Sequence, residues 1–206
     1  RPMGLASDSA SKFRNWNRTL RERYLRPYVF VHINKTGGSS IERALGITLD
    51  HSTALEKYRQ LGDAAWARKF TFSIVRNPWD KVVSHYHYRV KTNQSGLGDG
   101  ALSFRDWVVL CYREQDPRYC DQPRMFMAQR KWLVDEQDNM LVEYVGRFEN
   151  LQQDFAVICE RLSLQAELGH AKPSSRGSYR DYYDDETREL IASAFAEDLE
   201  TFGYRF

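Results

Sequence analysis

The sequence predicts an α/β fold, a P-loop-like central parallel β-sheet carrying helices on both faces. Two observations predict it. Short apolar runs rich in β-branched and aromatic residues, Tyr28–Ile33 and Phe70–Val75, read as buried strands. Each passes through a short polar turn into an amphipathic stretch, so strands alternate with helices.

Composition narrows the class. A chain of 206 residues with 42% apolar content has enough material for one well-buried domain. Residues 1–8 read as a disordered lead-in or cloning remnant, and 9–206 as a single domain. A net charge of +2 gives no support to a nucleic-acid binder. Cys111, Cys120 and Cys159 are odd in number and lack CxxC spacing, which indicates neither a zinc site nor a disulfide framework. Free buried thiols are expected, with a Cys111–Cys120 bridge as the alternative. No apolar run has the length of a membrane span, and no signal peptide is visible.

The elements follow in order. Ser9 or Ser11 caps a helix to about Leu25, with Phe13, Trp16, Leu20 and Tyr24 on its inner face. Pro27 breaks it before the first strand. Thr53-Ala54-Leu55-Glu56 is a capping box that opens a helix ended by Gly62. After the second strand, Asn77 as N-cap, Pro78 and Asp80 make a strong helix start. Asn93–Gly100 reads as a mobile loop, and Ser103 starts another helix. Trp132–Val134 and Met140–Val145 suggest a hairpin-like excursion. Asn150 is placed as the cap of Leu151–Leu162, and Asp184 or Asp185 as the cap of a last helix to about Leu199.

Lys35-Thr36-Gly37-Gly38-Ser39-Ser40 joins the first strand to its helix. A helix start converges N–H donors and partial positive charge on one point, which suits a phosphate. The glycines let backbone approach an anion, Lys35 brings a full charge, and Thr36, Ser39 and Ser40 bring hydroxyls. A Walker A loop has its Lys after the last Gly; here the Lys comes first. A merely structural turn that needs its glycines is the plain alternative. At the second strand end, Arg76-Asn77-Pro78-Trp79-Asp80 sets an Arg fork beside another helix start, with Ser84 two turns beyond the cap. Arg76 alone could equally tie a helix end to a carboxylate, and Ser84 alone could be a surface serine.

The two motifs on successive strands resemble the 5′-phosphosulfate loop and the 3′-phosphate segment of sulfotransferases that use 3′-phosphoadenosine 5′-phosphosulfate (PAPS). The nearest resemblance is to the carbohydrate-type branch and its bacterial homologues. Gly146-Arg147-Phe148-Glu149-Asn150-Leu151 and Tyr179-Arg180-Asp181-Tyr182-Tyr183 are similar to patterns of the same branch, so the likeness covers most of residues 28–206. It implies that Lys35, Thr36, Gly37, Gly38, Ser39, Ser40, Arg76 and Ser84 hold PAPS. It also implies a closing loop, for which Lys172, Ser175 and Arg176 are the candidates.

By the same resemblance the reaction is in-line sulfuryl transfer to an acceptor hydroxyl or amine, with Lys35 stabilising the leaving phosphate. The product is 3′,5′-adenosine bisphosphate (PAP), no metal is expected, and the acceptor is a small molecule or glycan, most simply a sugar. His51, in a polar Asp-His-Ser-Thr turn, is the candidate base; an exposed turn histidine is the alternative. His170 is a second choice, and His32 reads as structural. His85 and His87 lie two apart on a helix and do not share a face, so they form no metal pair. Trp66, Tyr86, Tyr88 and Trp107 could line an acceptor cleft or simply fill the core.

A P-loop kinase needs an acid at the second strand end to hold Mg²⁺, where this chain carries Arg76. The other alternative is a PAP- or PAPS-binding module without catalysis. Missing targeting signals point to the cytoplasm of a bacterium, although a trimmed Golgi-lumenal domain would look the same. Oligomeric state is not legible.

Overall fold

The computed structural model describes residues 20–98, 100–169 and 177–206. Its centre is a three-stranded parallel sheet, in the order β1 (Tyr28–Val31), β2 (Phe70–Val75), β3 (Tyr144–Arg147). Tyr28 pairs with Phe70, and Phe72 with Tyr144, so the strands run in step toward one end. Helix α1 (Gly38–Leu45) follows β1, and α2 (Ala54–Leu61) and the short α3 (Asp63–Trp66) lead into β2. Helix α4 (Pro78–Lys91) leaves β2, and α5 (Phe104–Val108) runs on into a wide π-type turn, Val109–Arg113. Helix α6 (Leu151–Leu162) follows β3, and α7 (Asp185–Ala194) and α8 (Ala196–Phe202) close the chain.

Alternation along the strands covers both faces of the sheet. Phe30, Phe72 and Ile74 pack with Ile41 of α1 and with Phe155 and Ile158 of α6. On the other face Val29 meets Leu61 and Ala65, while Val31 and Val75 meet Ala54, Trp132 and Phe202. Burying each such side chain contributes about 1.5–3 kcal/mol. A further cluster joins α4, α5 and α7 through Val82, Val83, Trp107, Ile191 and Phe195.

Several sequence expectations hold. Thr53 and Glu56 form the capping box, Asn77 caps α4 with Pro78 at its first turn, and Ser103 caps α5. Asp184 accepts from Thr187 N to cap α7. All three cysteines are free thiols, and Cys111 and Cys159 are buried.

Other expectations are corrected. The excursion reduces to one antiparallel bridge, Val134–Met140, after which the chain continues into β3, parallel to β2. Gly146 makes this possible: a Cβ there would lie 2.7 Å from Ile74 Cδ1 and 2.9 Å from Asp154 Cβ. Asn150 makes no side-chain cap bond, because α6 is entered from a 3₁₀ turn, Phe148–Asn150. The last helix breaks at Phe195, which leaves helical geometry and is fully buried. The described part of the Asn93–Gly100 loop is anchored by buried Leu97 and by Gly98 N donating to Asn93 Oδ1. Of the first helix only residues 20–24 are described, and there Tyr24 is exposed while Glu22 is buried against Lys57. Among the described residues no helix is long and apolar enough to cross a membrane.

Candidate active site

Parallel strands bring the ends of β1 and β2 to the same edge of the sheet, where a cleft of about 560 Å³ opens. Its walls include Lys35, Gly37, Gly38 and Ser39 from the loop after β1, and Arg76 and Ser84 from the segment after β2. His51 joins them from the turn before α2.

Close packing explains the two glycines. Gly37 sits at φ 85°, and a Cβ there would meet Leu151 Cδ2 at 2.8 Å. A Cβ on Gly38 would fall 2.0 Å from His32 Cδ2, inside the imidazole ring that floors the loop. His32 is buried, and its Nδ1 lies 2.8 Å from Glu42 Oε1 of α1, which also accepts from Asp50 N. That makes His32 structural, as expected. Thr36 turns inward, its hydroxyl donating to Ile33 O at 2.9 Å, and neither it nor Ser40 lines the cleft. Lys35 holds a left-handed backbone at φ 67°, a conformation that costs a residue with a Cβ about 1–2 kcal/mol. Its Nζ lies 4.2 Å from the centre of the Tyr88 ring.

Arg76 ties the helix start to a carboxylate and faces the cleft as well. Its Nε and Nη2 meet Asp80 Oδ2 at 2.8 and 2.7 Å. Its Nη1 donates to Lys35 O at 2.9 Å, and Phe148 stacks 3.9 Å from its Cζ. Gln129, fully buried, pairs with both polar atoms of the Arg76 peptide. Glu149 accepts from Asn77 N at 2.6 Å and from the Tyr204 hydroxyl at 3.0 Å. The segment around Phe148 and Glu149 therefore holds the Arg76 turn from the side.

His51 Nδ1 lies 3.0 Å from His32 O. A carbonyl only accepts, so Nδ1 carries the proton and Nε2 keeps the lone pair. Burial lowers the His51 pKa below the ordinary imidazole value, outweighing the bond to His32, which acts to raise it. His85 enters the same cleft from α4. Burial, with Lys81, Arg89 and Lys35 nearby, pushes its pKa well down and makes it a weak proton acceptor. His87 faces elsewhere and contacts the Tyr182 hydroxyl.

Among the expected aromatics Tyr88 lines the cleft, while Trp107 is fully buried and the Tyr86 hydroxyl is bonded to Leu102 O. Trp66 packs against the sheet. Lys172, Ser175, Arg176 and His170 lie outside the described residues. Gln129, Phe148, Glu149, His85 and Arg89 are additions that spacing does not announce. A glutamine fifty-three positions from its partner carries no local signal.

The profile of the sulfotransferase family matches residues 26–205. An uncharacterized protein of Archaeoglobus fulgidus is 30% identical over 100 residues, 47% of this chain and 70% of that protein. The crystal structure of a sulfotransferase from Alicyclobacillus acidocaldarius is 16% identical with a TM-score of 0.39, covering 92% of this chain and 84% of that one. With the family profile spanning both strand-end motifs and nearly all of the described fold, the chain belongs to the sulfotransferase family.

Proposed function

We propose that the chain moves the sulfuryl group of PAPS in line to a hydroxyl of a sugar or glycan. The observation that carries this reading is the junction of the two loops. Arg76 Nη1 donates to Lys35 O, which joins the loop read as the 5′ anion position to the turn read as the 3′ one. The donor set fits a nucleotide with separated phosphates: Lys35, Ser39 and the start of α1 on one side, Arg76 and Ser84 on the other. Among the described residues lining the cleft none is acidic.

PAPS supplies the activated sulfuryl group. The acceptor oxygen gains a bond to sulfur as the bond from sulfur to the bridging phosphate oxygen breaks. Lys35 offsets the charge left on that oxygen, and His51 Nε2 takes the acceptor proton. Gln94, Gln122 and Leu49 line the cleft as well, a mixture of amides and apolar surface suited to a neutral ring bearing hydroxyls.

The test is transfer from PAPS to a panel of mono- and oligosaccharides in the presence of EDTA. Sulfated product is expected, with turnover by Lys35→Ala down about 10²–10³-fold. Nucleotide binding with no product on any acceptor would favour the non-catalytic module instead.

A further inference from the structure

Helix α4 presents Ser84 and then, one turn later, Tyr88 to the cleft. Tyr88 is 45% exposed. Its ring face carries the Lys35 ammonium, with Nζ 4.2 Å from the centroid. We propose that Tyr88 is the positioning residue for Lys35, docking the ammonium before the nucleotide arrives. This rests on the reading of Lys35 as the charge that meets the leaving phosphate.

The physical case has three parts. A lysine side chain is flexible and loses much rotamer freedom when fixed, so a ring that already holds it removes that cost from the reacting complex. An ammonium has three donors, and one engaged with a π face leaves others for an oxygen. On the same helix Lys81 and Arg89 are almost wholly buried; Arg89 is paired with Asp121 and Lys81 has Asp198 nearby, but Lys81 and Lys35 still repel each other. Against that repulsion the negative face of the ring offers the ammonium a favourable contact. Arg76 holds the Lys35 carbonyl and Tyr88 holds its side-chain end, so the residue is gripped at both extremities.

Tyr88→Leu removes the π face at an exposed helix position where leucine is a good helix former, and Tyr88→Phe keeps that face without the hydroxyl. With saturating PAPS and acceptor, Tyr88→Leu is expected to lower kcat about 5- to 10-fold, the loss of a half-exposed cation–π contact. KM for either substrate should move less than about 2-fold, and Tyr88→Phe should restore kcat to within about 2-fold of wild type.

Independently of turnover, the Lys35 Hε resonances should show an upfield ring-current shift in wild type and Tyr88→Phe, lost in Tyr88→Leu. Full kcat in Tyr88→Leu, an effect confined to the acceptor KM, or failure of Tyr88→Phe to rescue would overturn the proposal alone. A wild-type protein that never transfers sulfuryl from PAPS would overturn the functional reading, and the proposal with it.

Discussion

Gln129 completes the peptide of Arg76: its Oε1 accepts from Arg76 N at 2.9 Å, and its Nε2 donates to Arg76 O at 2.8 Å. The same Nε2 reaches Asp198 Oδ2 at 3.0 Å, tying the Arg76 turn to α8. Gln129→Leu would strand both polar atoms of a buried peptide at about 1–3 kcal/mol each. A loss of about 2–5 kcal/mol in urea unfolding is expected, with weakened PAP binding. A loss below about 1 kcal/mol would show that the clamp is dispensable.

Gly38→Ala tests the floor of the loop. The new methyl would overlap the His32 ring and force it from Glu42. Overpacking of this kind costs about 1–3 kcal/mol, and the displaced loop should bind PAP more weakly. Native stability together with native PAP affinity would mean that the ring yields freely.

His51 sets the expected pH dependence of the reaction. In the proposed reaction the neutral imidazole is the base, and burial lowers its pKa. The value of kcat/KM should therefore rise with pH along a limb below the ordinary imidazole range, then level off. His51→Ala should lose about 10²–10⁴ in kcat/KM and that limb with it. An unchanged profile in the variant would remove His51 from the chemistry.

His85 sets a pH dependence of stability. Its folded pKa lies well below the unfolded value of 6.5, so below that pH the unfolded chain binds a proton that the native state refuses. Stability should be level above the unfolded pKa and fall as pH drops beneath it, by at most about 1.4 kcal/mol per pH unit from this group. Urea midpoints taken between neutral and mildly acid pH should show that slope, made shallower by His85→Leu. An equal slope in the variant would place the acid sensitivity elsewhere.

Much of this was legible because its signals are local. Tyr28–Val31 and Phe70–Val75 declare themselves as apolar runs, and Thr53, Asn77, Ser103 and Asp184 as caps whose partners lie within three residues. The loop at Lys35 and the turn at Arg76 were legible as motifs. β3 was not, because Tyr144–Arg147 is short, half-buried and interrupted by Gly146, which packing rather than propensity requires. The supports of the Arg76 turn were also hidden, since Gln129 and Phe148 reach Arg76, and Glu149 reaches Asn77 N, only through tertiary contact. Tyr88 could be named as a cleft aromatic, but the contact with Lys35 depends on how α4 lies against the loop.

In the proposed reading two strand ends hold the two phosphates of one adenine nucleotide. Calorimetric titration with PAP in EDTA, alongside ATP with Mg²⁺, tests it most directly. Micromolar binding of PAP without metal, much reduced in Arg76→Ala, is the predicted result. Binding of ATP–Mg²⁺ alone, or of neither nucleotide, would contradict the claim.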